Sequence, residues 1–292
     1  MAGNVERDPL TGVETTGHEW DGIKELNNPL PSWWLYIYFA CILWSVIYWV
    51  LYPAWPVGTT YTKGILGWSQ RMQVEDEIKE AKAAQSKFTD QIAKLPLAQI
   101  KTNKELYDFA VTGGRSVFAG NCVQCHGAGG QGRPGFPNLA DDEWLHGGSL
   151  DDIFKTVQHG VRATNDNDTR QPPAMPSFGK DGTLNQAQIG DAAEFVRSLN
   201  KVAGTDAEAA KRGAAVFADN CASCHGEKGE GNPDLGSKPL NDGIWLYGGD
   251  KATIVQTLTN GRAGVMPSWA TRLDDTSIKE VALYVHGLGG GK

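Results

Sequence analysis

Two stretches of the chain repeat one another almost residue for residue. Val117-Phe118-Ala119-Gly120-Asn121-Cys122-Val123-Gln124-Cys125-His126-Gly127 matches Val216-Phe217-Ala218-Asp219-Asn220-Cys221-Ala222-Ser223-Cys224-His225-Gly226, and Cys221 stands 99 residues after Cys122. The match continues downstream. Trp144-Leu145-His146-Gly147-Gly148 pairs with Trp245-Leu246-Tyr247-Gly248-Gly249, Met175-Pro176-Ser177-Phe178 with Met266-Pro267-Ser268-Trp269, and Phe195-Val196 with Tyr284-Val285. The first copy carries extra residues before its Met, within 161–174 (VRATNDNDTRQPPA), a polar, turn-rich segment that reads as a surface loop. Copies of this length make one domain each. Within each copy the pattern is helical. A helix precedes the Cys pair (Thr112 to Ala119, Ala207 to Ala218), and a middle helix follows a Ser149/Asp152 pair resembling a capping box. A last helix carries Ile189, Ala192, Ala193 and Val196, or Ile278, Val281, Ala282 and Val285. No alternating strand pattern of any length appears.

Both Cys pairs are followed at once by His, and C-x-x-C-H is the attachment signature of c-type haem. Two intervening residues set both thiols where they can bond the two vinyl groups of one porphyrin, and the next residue offers an imidazole to the iron. A redox disulfide does not require His at the same place twice. One zinc shared by two pairs is unlike a compact zinc module, because a whole domain separates them. Cys122, Cys125, Cys221 and Cys224 therefore read as holding two haems covalently, with His126 and His225 on the irons. A Met thioether opposite His raises the iron's potential and closes the site, which suits electron transfer. Of the four Met, Met1 opens the chain and Met72 lies near the apolar run described below. Met175 and Met266 remain, one per copy, 49 and 41 residues after the His. A lone Met is usually core packing; here the repetition makes Met175 and Met266 the axial ligands. Whether each serves its own repeat or crosses to the other stays open. His18, His146, His159 and His286 are not repeated and read as surface or core residues. Trp144 and Trp245 read as packing at the porphyrin edge. Arg162 and Arg262 are candidates to pair haem propionates, against the plainer reading of solvated arginines. No paired carboxylates, nucleophile elbow or phosphate loop appears, so the chain carries no catalytic site of its own.

Residues 32–52 (SWWLYIYFACILWSVIYWVLY) hold no charge and nine of the chain's 27 aromatics. A helix of 21 residues spans about 32 Å, enough for a bilayer core of about 30 Å. Trp33, Trp34 and Tyr36 at one end, and Tyr48, Trp49 and Tyr52 at the other, suit interfacial belts. A cleaved signal peptide would have a basic start and a shorter core; residues 1–31 carry two basic and six acidic side chains. One uncleaved anchor is expected, with Cys41 a small packing residue within it. The flanking positive charges tie, so orientation rests on chemistry: bacterial c-type haem is attached on the periplasmic side. Residues 73–95 form a charged helix with a heptad stripe of Val74, Ile78, Ala81, Gln85, Phe88, Ile92 and Leu95. That stripe serves either its own domain or a neighbouring subunit. The chain's net charge of −7 argues against nucleic acid. The two repeats share −4 and −2 of it, a field that steers cationic partners.

The layout resembles subunit III of a cbb3-type cytochrome c oxidase, the membrane-anchored dihaem subunit. The resemblance covers nearly the whole chain. Beyond the haem motifs it is carried by Asn28-Pro29-Leu30-Pro31-Ser32-Trp33-Trp34, Tyr52-Pro53-Ala54-Trp55-Pro56, Leu66-Gly67-Trp68-Ser69-Gln70 and the repeated Trp-Leu-x-Gly-Gly and Met-Pro blocks. It implies a mainly α fold: a 1–31 cytoplasmic segment, a 32–52 transmembrane helix, a 53–104 linker with an amphipathic helix, and cytochrome c-like domains at 105–203 and 204–292. It implies a bacterial inner-membrane protein with its haem domains in the periplasm. Electrons would come from a soluble or membrane-bound cytochrome c. They would leave through a monohaem subunit toward the haem–copper catalytic subunit. One departure from the family pattern is visible. After the ligand His the first copy has Pro137-Asn138-Leu139 and the second Lys238-Pro239-Leu240, so the carbonyl that orients each His differs between copies.

Overall fold

The computed structural model describes residues 5–289. It falls into two compact units, residues 1–84 and 85–292, which are described separately.

The first unit contains the apolar run as helix α1, Ser32–Leu51, with no buried residue. Its 20 residues are long and apolar enough to cross a bilayer. A core helix would have buried residues, and α1 has none. Pro31 precedes the helix, and Tyr52 turns extended before Pro53. The Ser45 hydroxyl donates to the Cys41 carbonyl, which satisfies it within the helix. The sequence reading found no strands, yet two small hairpins flank α1. Strands β1, Thr15–Trp20, and β2, Ile23–Leu26, pair antiparallel. The signal that makes them is their turn and not their pattern: Asp21-Gly22 takes φ of 50° and 84°, the mirror-image turn that suits a two-residue hairpin. Strands β3, Pro56–Val57, and β4, Thr60–Tyr61, close around Gly58. Helix α2, Gln70–Lys94, follows the second hairpin.

The second unit begins within α2 and is helical. It adds α3, Leu97–Thr102; α4, Lys104–Asn121; α5, Val123–His126; α6, Leu150–His159; and α7, Gln186–Leu199. It continues with α8, Ala207–Asn220; α9, Ala222–His225; α10, Lys251–Asn260; and α11, Asp275–His286. The six longer repeat helices each start on an Asn, Ser or Asp whose side chain accepts a backbone N–H of the first turn. Each such cap stabilises its helix by about 1 kcal/mol. The Ser149–Asp152 pair is among them.

The packing does not follow the order of the repeats. α4 packs on α11, and α8 packs on α7. One core joins Phe118 of α4, Ile153 and Val157 of α6, and Ile278, Val281, Ala282 and Val285 of α11. The other joins Ile189, Ala192, Ala193 and Val196 of α7 to Phe217 of α8 and to Ile254 and Leu258 of α10. Each repeat keeps its Cys helix and middle helix and gives its last helix to the other. Both crossings bring backbones into contact. A Cβ on Gly114 would lie 2.1 Å from the Glu280 carbonyl oxygen, and one on Gly213 would lie 2.0 Å from that of Asp191.

A third core, with Ile92, Leu97, Ile100, Leu106, Ala110 and Leu283, receives the end of the heptad stripe through Phe88 and Leu95. Val74 and Ile78 stay half exposed. The C-terminal end of the stripe thus serves its own domain.

The two helix crossings differ in one charge. In one, Arg212 holds Asp191 through bonds of 2.8 and 2.6 Å, and its hydrogen bond keeps that carboxyl below the usual range. In the other, Arg212 is replaced by Gly113 and the acid by Glu280, which is 8% exposed. The neighbouring Lys279 is taken up by the carbonyls of Ile92, Ala93 and Leu95. Burial, with a smaller push from Asp274, raises the Glu280 carboxyl to about 7. The folded chain therefore holds a proton that the unfolded chain releases near its ordinary value of 4.5. Stability is expected to fall as pH rises from 4.5 through about 7, by at most about 3 kcal/mol, and then to level off. Glu280→Gln should melt with the parent at pH near 4.5 and above it near 8. Parallel melting curves across that window would contradict this account.

Candidate haem sites

Each C-x-x-C-H segment forms a single helical turn, α5 or α9, set on the end of a long helix at Cys122 or Cys221. The chain then reverses, and a backbone carbonyl returns to the His. His126 Nδ1 lies 2.9 Å from the Pro137 carbonyl, and His225 Nδ1 lies 2.9 Å from that of Lys238. A carbonyl only accepts, so Nδ1 donates in both. Nε2 is left as the nitrogen with a free lone pair, the tautomer a metal ligand needs. Burial holds both imidazoles below their ordinary value, hence neutral at pH 7. The difference between the copies is thus harmless. The contact is made by a main-chain oxygen at an equivalent place, whether the residue is Pro or Lys.

The cysteines are unlike redox thiols. Burial, with the neighbouring thiol adding to it, pushes Cys122 and Cys221 up to about 11. Redox-active Cys-x-x-Cys pairs have lowered values.

All eight sequence-predicted residues line one cavity of about 540 Å³: Cys122, Cys125, His126, Met175, Cys221, Cys224, His225 and Met266. The methionines are exchanged along with the last helices. Met266 packs in the core that holds Cys122, Val123 and Trp144. Met175 packs in the core that holds Cys221, Ala222 and Trp245. Paired backbone bonds fix each crossing. Val161 N–H donates to the Met266 carbonyl at 2.9 Å and Met266 N–H to Val161 at 3.0 Å. Met175 N–H donates to Arg262 at 2.9 Å and Arg262 N–H to Met175 at 3.1 Å. The residue before each pair is Gly160 or Gly261, both at φ of 70°, and a Cβ there would strike the Met266 or Met175 carbonyl at 2.3 or 2.6 Å. Trp144 and Trp245 fold back over Gly148 and Gly249. That accounts for the Trp-Leu-x-Gly-Gly block, since the indole occupies the place of a side chain.

The apolar wall, two neutral imidazoles, paired thiols and two thioethers suit covalently held porphyrins. The arginines are occupied in the protein. Arg162 donates to the carbonyls of Gly264 and Pro172, while Arg262 donates to Thr257 and lies 4.1 Å over the Tyr247 ring. Both border the cavity. So does His146, which burial first, then Arg170 and Arg162, push down to about 4. Sequence reasoning missed the ion pair of Lys238 with Glu143, mostly buried and joining the two repeats. No spacing announces that pair, because the residues meet only after the repeats pack.

Residues 12–59 match the N-terminal domain of cytochrome oxidase-cbb3, FixP. Residues 111–200 match cytochrome c, and residues 208–285 match cytochrome c oxidase, cbb3-type, subunit III. The cbb3-type cytochrome c oxidase subunit CcoP of Azospirillum brasilense is 58% identical over 98% of this chain and 99% of its own length. This chain belongs to the CcoP/FixP family. Its similarity extends to subunit FixP of Azorhizobium caulinodans, 53% identical over 98% of this chain and 96% of that protein. Subunit CcoP of Cereibacter sphaeroides is 47% identical over 95% of each. The chain is an electron-transfer subunit of a cbb3-type oxidase; its cytochrome c domains imply c-type haem, and its apolar N-terminal helix marks it as membrane-anchored.

Proposed function

We propose that the chain receives electrons from a periplasmic cytochrome c and passes them through two covalently bound haems to the other subunits of a cbb3-type oxidase. Cys122 and Cys125 hold one group and Cys221 and Cys224 the other. His126 with Met266 ligates the first iron, and His225 with Met175 ligates the second. The observation that carries this reading is the exchange. Each C-x-x-C-H turn shares its core with the methionine of the opposite repeat, in one common cavity.

A haem iron with His and Met ligands supplies one-electron redox chemistry at raised potential. The protein's own part is to hold and screen. The Pro137 and Lys238 carbonyls fix the imidazole tautomers. The paired backbone bonds at Val161 and Arg262 hold the thioether segments, and the apolar wall keeps water away. The repeats lie in the periplasm, where c-type haem is attached, and residues 1–31 lie in the cytoplasm. The partners are the haem–copper catalytic subunit and a monohaem subunit. The donor is a soluble or membrane-bound cytochrome c, steered by the acidic repeats.

Purification in mild detergent through a tag on this chain tests the reading. A reduced-minus-oxidised spectrum should show b-type haem beside c-type haem, and cyanide-sensitive oxygen uptake with reduced cytochrome c should be present. Two c-type haems with no uptake in several detergents would make the chain a stand-alone anchored carrier.

A further inference from the structure

The extra residues within 161–174 of the first repeat have no counterpart in the second, and the loop they form lies against the segment that carries Met266. Its base is closed by Arg162 N–H to the Arg170 carbonyl at 2.7 Å and Arg170 N–H to the Gly160 carbonyl at 3.1 Å. From there it reaches the other repeat at three alternate residues. Arg162 Nε donates to the Gly264 carbonyl at 2.8 Å. Val161 exchanges backbone bonds with Met266. Ser268 Oγ lies 2.7 Å from Asp166 Oδ2 and 2.7 Å from the Gln158 carbonyl. Its single proton favours the carboxylate, the stronger acceptor. Asp166 is itself held, by His159 Nδ1 at 3.1 Å and by the Asp168 N–H at 2.8 Å. Ser268 is 2% exposed, so this bond is shielded from water.

The Met175 segment is treated differently. It shares the paired backbone bonds with Arg262, but the Arg262 side chain turns to Thr257 and Tyr247. Its serine, Ser177, donates to Asp181 of its own loop at the surface. The two methionine segments therefore have the same sequence motif and unequal support.

We propose that the inserted loop is a clamp on the Met266 segment, with Asp166 its positioning residue, so that the Met266 site resists displacement of its thioether by outside ligands and the Met175 site yields first. This rests on the reading of Met266 as an axial ligand. Asp166 touches no haem atom in this scheme; it acts through Ser268. The inequality gives the dihaem unit one firm and one soft iron site built from near-identical motifs.

The test is a titration of the full-length oxidised protein with imidazole, followed in the Soret region and in the far-red band of Met-ligated ferric haem. The parent should titrate in two unequal steps. Asp166→Ala should tighten imidazole binding at the harder site by about tenfold or more, the scale of a lost charge-assisted hydrogen bond, and bring the steps together. Asp166→Asn still accepts from Ser268 and should restore most of the separation. Ser268→Ala leaves the loop's own bonds intact and should act in the same direction as Asp166→Ala; it decides the matter if the latter does not fold. Met266→Leu in parallel should abolish the harder step. If Met266→Leu alters neither step, the ligand reading fails and the clamp falls with it. If Met266→Leu removes a step while the Asp166 and Ser268 variants leave both unmoved, the ligand stands and the clamp is wrong.

Discussion

Cutting the backbone between Val202 and Gly204 is expected to leave the two halves of the haem-bearing unit bound to each other. The turn there is exposed, so a protease site inserted at Ala203 should be cleaved readily. Two domains strung in series would then separate, because only the turn would join them. Here the cut leaves α4 to α7 on one fragment and α8 to α11 on the other, and the two main packing pairs, α4 with α11 and α7 with α8, both cross it. Phe118 against Tyr284 and Phe195 against Phe217, with ring centroids 5.3 and 4.9 Å apart, pack across the same divide. Size-exclusion chromatography after cleavage should show one peak at the uncut position, with both fragments in it under denaturing electrophoresis. A chain ending at residue 203 should fare far worse. It loses α11 from α4 and both partners of α7, and should be recovered degraded or aggregated. Separation of the cleaved halves under native conditions would mean that the exchange is not present in solution.

Gly114→Ala or Gly213→Ala should cost more than about 3 kcal/mol, the upper range for overpacking a core. The added methyl would sit 2.1 or 2.0 Å from a carbonyl oxygen of the crossing helix, and that oxygen belongs to backbone. No rotamer change relieves it, so the helices must move apart and the cores beside them must open. For a unit of this size such a loss lowers the melting temperature by roughly 10 °C. Gly190→Ala in α7 is the control. Nothing lies within 4 Å of its added carbon, and replacing a helical glycine should stabilise by up to about 1 kcal/mol. Equal effects from the crossing and the control glycines, read by circular dichroism melts, would remove the close approach from the account.

Much of this was legible in the residues. The uncharged run at 32–52 became α1, one residue shorter, and each apolar stripe named in the repeats became a buried face. The helix cap at Ser149 follows from side-chain chemistry that needs no tertiary context. The His tautomers were half legible: the sequence pointed to orienting carbonyls that differ between the copies, and the structure gives them as those of Pro137 and Lys238. The exchange of the last helices was not legible. Ile189, Ala192, Ala193 and Val196 offer nearly the same face as Ile278, Val281, Ala282 and Val285, so either helix satisfies either Cys helix. What differs lies at single positions, such as Gly113 against Arg212, whose meaning appears only once Glu280 and Asp191 stand beside them. The β1–β2 hairpin carries no hydrophobic alternation, and its signal in the residues is the Asp21-Gly22 turn.

The exchange has a consequence for the order in which the chain can assemble. The core around Met175 draws on residues 175–258, one continuous stretch that starts with what is normally the closing helix. The core around Met266 is split around it, with α4 to α6 on one side and Met266 to α11 on the other. One haem-binding unit is thus nested inside the other and circularly permuted relative to it. The inner unit closes short loops. The outer one must close a loop roughly ten times longer, at an extra entropic cost of about 2 kcal/mol if that loop is unstructured. Folding the inner unit first removes most of that cost, because it brings the ends of the long loop together. The inner unit can form before α11 is complete, and the outer unit cannot. On the proposed reading of the cysteines as attachment sites, Cys122 and Cys125 are the pair made first and enclosed last, which leaves them open to attachment for the longer time.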